Sequence, residues 1–168
     1  MDAILIFVIS ALASMLSSIV LATLYLWPWL RGTDRNRGLI TLIAPHMFLR
    51  FIGMSFLIVG VVSPSLPRAF AVPAAYGDLA AGILANLAVI ALANGAAWAT
   101  AAVWLFNVWG AADFLFAIYQ VPRLQIPPGA FGAAFFIPTA IVPPLLVTHL
   151  LIFRLLMQAK KGESLSVG

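Results

Sequence analysis

Cysteine is absent from the 168 residues, and charge is scarce. Without a thiol the chain makes no disulfide, thiolate metal site, iron–sulfur cluster or cysteine nucleophile. Charged residues are 8% of the sequence, against about 25% in a soluble domain. Also missing are HExxH, the Walker phosphate loop, GxSxG and GxGxxG, so no soluble-type catalytic site is expected. A secretory leader is not expected either. Asp2 stands where a leader needs positive charge, and the apolar run behind it is too long.

What the chain has is apolar length. Hydrophobic residues are 64% of it, mean hydropathy is +1.10, and no polar stretch is long enough for a soluble module. This predicts one all-α domain over residues 1–168, an integral membrane bundle. The formal net charge of +4 does not point to nucleic acid, because the basic residues sit in loops and at helix ends rather than on one face.

Five transmembrane helices are expected, at about residues 4–30, 39–62, 77–94, 97–120 and 133–157. The most basic loop, Arg31 to Gly38, holds three arginines against one aspartate. The positive-inside rule places it in the cytoplasm and the N-terminus outside. An odd number of spans then puts the C-terminus inside, with Lys160 and Lys161, and leaves Arg68 and Arg123 outside. Span count and charge distribution agree.

Polar residues inside apolar runs are the candidate functional residues. Asp113 lies about two turns from the end of WATAAVWLFNVWGAADFLFAIYQ, with Asn107 near the middle. A carboxylate at such depth costs roughly 2.5–3.5 kcal/mol on insertion scales, so it needs partners. Those available are His46, Arg50, Asn86 and His149. His46 and Arg50 are four residues apart and share a helix face, with Gly53 and Gly60 near the same stripe. Arg50 is too deep to snorkel, so it either ties helices together or contacts a ligand. Asn107 and Asp113 differ by about 120° around the helix and about 9 Å along it, so they face different neighbours.

Packing explains other features. Ser10, Ser14 and Ser18, and Gly77, Ala81 and Ala85, recur at the four-residue spacing of close helix contacts. Asp78 reads as a residue at the start of the third span, complementing the helix N-terminus. Residues 63–76, with Pro64, Pro67 and Pro73, read as a loop. Pro45 either kinks the second span or opens it, and Pro138, Pro143 and Pro144 bend or unwind the last.

FLRFIGMSFLIVGVVSP followed by AAYGDLAAGILANLAVIAL resembles the first helices of the DoxX-like small membrane proteins. The resemblance covers roughly residues 48–92 and rests on Arg50 opening a helix, Phe56-Leu57 with Gly60, and Gly77-Asp78 starting the next. It implies an association with membrane redox or quinone chemistry and transfers no catalytic residue. DoxX-like proteins usually have four spans, so the first of the five here would be additional. The rest of the chain resembles small bacterial inner-membrane proteins without assigned activity.

The leading expectation is a non-catalytic protein of the bacterial inner membrane. Its polar core, formed by His46, Arg50, Asn86, Asn107, Asp113 and His149, binds a small lipophilic ligand, or the bundle serves as accessory subunit of a membrane complex. Partners are then the lipid bilayer, a lipophilic molecule or quinone, and a membrane protein or second copy of the chain. Whether there is an enzyme stays open. The alternative is a quinone-linked oxidoreductase or isomerase with Asp113 as acid/base, and a third reading is a small transporter or proton pathway. No motif names a cofactor. Without a third ligand at recognisable spacing, His46 and His149 are not expected to form a metal site.

Overall fold

The computed structural model describes residues 2–164, with side chains described through Gln158. The side chains of Lys160 and Lys161, expected at the cytoplasmic end, lie outside the described residues. No strand occurs among the described residues, and five helices are long and apolar enough to cross a membrane. They are α1 (Ala3–Arg31), α2 (Arg35–Leu57), α3 (Arg68–Ala93), α4 (Ala99–Arg123) and α5 (Ile137–Gln158).

Local chemistry explains how these helices begin and bend. Asp2 caps α1 by accepting from the Ile4 backbone N–H at 3.1 Å, and Asp34 caps α2 through the Arg37 N–H at 3.0 Å. Pro28 has no N–H to return to the preceding turn, and Ala22–Leu26 just before it widens into a π-turn. The same device precedes Pro143 and Pro144, where Ile137–Ile141 is a π-turn. The prolines of the last helix therefore loosen its winding without ending it.

In α2, Pro45 acts as a kink. Helix runs over Arg35–Ile43, a turn covers Ala44 and Pro45, and helix resumes at His46–Leu49. The chain then tightens into a 3₁₀ stretch, Arg50–Leu57. With three residues per turn, Arg50, Gly53 and Phe56 fall on one face, and all three are buried. Gly60, expected on that stripe, lies beyond the helix in a turn, at φ +96°.

One boundary differs substantially from expectation. The third helix begins at Arg68, not near residue 77, with Pro67 as its cap. Proline before the first turn fits a helix start, and Pro73, only one turn further in, removes a single backbone bond. Residues 68–76 are thus helix and not loop. Asp78 accordingly stands in the third turn of α3, where it does not cap.

Short connections make successive helices antiparallel. Asn94-Gly95, with Gly95 at φ +60°, turns α3 into α4. At the opposite end, the α2–α3 connection bonds to the 3₁₀ segment Pro128–Phe135, Ser63 N–H to Ala130 O at 3.0 Å and Ala133 N–H to Val61 O at 2.8 Å. Gly132 makes this possible: its φ is +53°, and a Cβ would strike the Val61 carbonyl.

The apolar core comes in two parts. One gathers Leu39, Leu42, Ile43, Ala85, Val103, Phe106, Ile152 and Leu156 toward the Arg35 end. The other gathers Phe56, Phe70, Ala74, Phe131 and Ile137 toward the opposite end. α3 is central, with alanines 75, 81, 85 and 88 wholly buried, whereas α1 lies outside and buries only Ala22 and Leu30. Between the two apolar parts lies a layer of buried polar side chains.

Candidate functional site

Arg50 is the centre of that layer and is 1% exposed. Its Nη1 donates to Asp78 Oδ1 at 2.7 Å and to Asp113 Oδ2 at 2.8 Å, so carboxylates from α3 and α4 meet at one nitrogen. Nη2 donates to the Gly110 carbonyl at 2.6 Å and to His149 Nε2 at 3.0 Å. The guanidinium carbon lies 3.4 Å from the centroid of the Phe114 ring, which closes one face of the cation. One side chain of α2 thereby joins α3, α4 and α5. Of the guanidinium nitrogens, Nε alone finds no partner.

Arginine always donates, and this determines the rest of the network. His149 Nε2 must accept, so its proton is on Nδ1, which donates to Asn107 Oδ1 at 2.7 Å. Asn107 Nδ2 then donates to the His149 carbonyl at 3.2 Å. The Thr148 hydroxyl donates to the Leu145 carbonyl at 2.8 Å, which leaves its oxygen to accept from His46 Nε2 at 2.8 Å. His149 is therefore neutral, whereas His46 donates from Nε2 and its buried Nδ1 finds no partner. Their ring centroids are 4.5 Å apart, and both pack on Phe106. With both nitrogens engaged, His149 keeps no lone pair for a metal ion.

Three glycines make room for these groups. A Cβ on Gly53 would strike the Asp78 carboxylate, and one on Gly77 would strike that of Asp113. At Gly110 a Cβ would lie 2.7 Å from His149 Cε1 and 2.8 Å from Arg50 Nη2. Each is a place where a neighbouring helix must press against a polar side chain, not against another backbone.

Of the six residues singled out from sequence, five share this layer: His46, Arg50, Asn107, Asp113 and His149. Asn86 does not. Its amide donates at 2.8 Å to the Gly82 carbonyl one turn back on its own helix, so it makes no bond across helices. Asp78, expected to complement a helix N-terminus, joins the layer because its helix begins at Arg68, and Thr148 joins it through a partner 102 residues away that no local spacing reveals.

Beside the cluster is a cavity of about 400 Å³, enclosed by α1, α3, α4, α5 and Phe56 of α2. Its wall is apolar, with Phe7, Leu12, Phe56, Phe70, Ile118 and Leu146 among the lining residues. Asp78 and Asp113 are the only polar residues that line it among those described. Each carboxylate uses one oxygen on Arg50; no described donor reaches Asp78 Oδ2 or Asp113 Oδ1. A shallower hollow of about 440 Å³ between α3 and α4, beside Tyr76 and Trp109, shares only Asp113 with it.

Fold and site together define a five-helix apolar bundle whose buried arginine holds two carboxylates at the floor of a small-molecule-sized cavity. Over residues 6–157 the chain matches the model of a domain of unknown function (DUF8737), and it belongs to that family. No curated protein and no solved structure matches it.

Proposed function

We propose that this protein is an integral membrane binding protein for a small lipophilic molecule, held in the cavity with its polar head on Asp78 and Asp113. The observation that carries this reading is the wall of the cavity, apolar everywhere except at those two carboxylates. A volume of about 400 Å³ falls within the roughly 300–1,000 Å³ of small-molecule sites. Leu12 of α1 and Ile118 of α4, 57% and 49% exposed, border the cavity and mark its mouth. In a bilayer this mouth faces acyl chains, so a ligand arrives from within the membrane. Arg50 favours binding over a proton pathway, because a guanidinium does not release its proton and separates the carboxylates from His149. The family match concerns a domain of unknown function, so quinone chemistry, suggested by the DoxX-like stretch, enters only as one ligand class to be tested.

The test is mass spectrometry of the organic extract of gently purified protein, beside Ala117→Phe, which fills the cavity from α4. One lipophile enriched in the native protein and depleted at least tenfold in a variant of unchanged melting temperature supports the proposal. The same bulk phospholipid in both overturns it.

Membrane insertion and orientation belong to the same reading, with Arg31, Arg35 and Arg37 on the cytoplasmic side and the N-terminus outside. The cysteine-free chain makes this simple to check with single cysteines and an impermeant maleimide. Ser65→Cys should label on intact cells and Thr33→Cys only after the cytoplasmic face is opened. The opposite pattern would invert the topology.

A further inference from the structure

We infer that the ligand is a lipophilic monocation, a protonated amine on an apolar body, and that Asp113 sets this charge preference. The inference rests on the binding reading above and adds the chemical class of the ligand.

The argument is a charge count. Arg50 on α2 contributes one positive charge, and Asp78 on α3 and Asp113 on α4 contribute two negative ones when both are ionised. His149 is neutral because its Nε2 accepts from Arg50, and His46 reaches neither carboxylate. No other charged side chain lines the cavity among the described residues. With both carboxylates ionised the cluster carries one negative charge in excess, in surroundings where an unbalanced charge is expensive and a cationic ligand would balance it. Both carboxylates line the cavity, with Asp78 Oδ2 also lying against Gly53 and Asp113 Oδ1 against Gly77. Arg50 holds Asp78 Oδ1 and Asp113 Oδ2, while Oδ2 of Asp78, a residue only 6% exposed, and Oδ1 of Asp113 have no donor. The rim is therefore made of acceptors alone. It suits a head that donates and brings one positive charge, and it repels a carboxylate. A carbonyl head finds no donor there. Of the two carboxylates, Asp113 is the more accessible, with 11% side-chain exposure against 8%.

Three probes with the same chain separate the possibilities: dodecylamine, dodecanol and dodecanoate. Their affinities are measured on purified full-length protein in phosphatidylcholine nanodiscs, with empty discs subtracted. The amine should bind at least tenfold more tightly than the alcohol, and dodecanoate weakest. Asp113→Asn, which balances the cluster without a ligand, should bring amine and alcohol within about twofold. Ala117→Phe should abolish binding of all three. Equal affinity for amine and alcohol in the native protein, both lost in Ala117→Phe, overturns the charge inference while leaving the cavity reading intact. That result would mean a proton shared between the carboxylates supplies the balance. Probe binding indifferent to Ala117→Phe overturns both.

Discussion

Arg50→Met is expected to cost about 3–5 kcal/mol, the usual range for removing one partner from a buried ionic group. The substitution removes four hydrogen bonds and leaves Asp78 and Asp113 facing each other without a cation. Unfolding titrations in mixed micelles should show this as a loss of most of the folded population, and Arg50→Lys should do little better. A single ammonium has three protons and no planar fork, so it cannot serve two carboxylates, a carbonyl and an imidazole at once. The informative variant is Arg50→Met combined with Asp78→Asn and Asp113→Asn. Replacing a whole buried ionic group by neutral side chains is often tolerated, so the triple variant should regain at least half of the loss. If the single and triple variants were equally unstable, the damage would come from lost packing against Phe114 and not from stranded charge. An Arg50→Met protein as stable as the native one would mean that the carboxylates do not depend on the guanidinium.

Gly77→Ala is expected to be the next most damaging small change, at about 1–3 kcal/mol for overpacking at a tight contact. One methyl group here pushes into the Asp113 carboxylate. Moving that carboxylate either breaks its bond to Arg50 or separates α3 from α4. The mechanism predicts coupling. In Gly77→Ala with Asp113→Ala, the loss should fall short of the sum of the two single losses by about 1 kcal/mol or more. Strict additivity would show that Gly77 is needed for some reason other than room for Asp113. Gly95→Ala offers a contrast, since nothing lies near its Cβ position and only its φ of +60° opposes the change.

These two variants also show what was legible in the chain and what was not. Hydropathy sufficed for five helices, because a run of about 20 apolar residues has few other outcomes. The spacing of His46 and Arg50 placed them on one face, and both are buried. Asp78 was hidden by its surroundings in sequence. Three prolines just before it imitate a loop, and an aspartate at a presumed helix start is explained too easily by the helix dipole. Only the observed start at Arg68 moves it into the interior. The glycines were visible as small residues, but a seam of small residues looks the same whether a backbone or a carboxylate presses on it. Asn86 shows the reverse. An amide in an apolar helix suggests a bond to a neighbour, yet the nearest carbonyl is one turn back on the same helix. The tautomer of His149 follows from Arg50, about a hundred residues away, beyond the reach of local pattern.

The place of α1 bears on how the protein is made. It rests chiefly against the last helix and the turns before it, with Arg154 of α5 lying 3.7 Å over the Trp27 ring and Phe7 stacked on Phe131. The first segment synthesised therefore has its main neighbour in the last. While α2 to α4 are laid down, α1 has only the packing of its end, where Leu30 lies against Gly38 of α2, to hold it. Until α5 arrives, the space beside Asp78 and Asp113 lacks the wall that Ile137, Val142 and Leu146 give it.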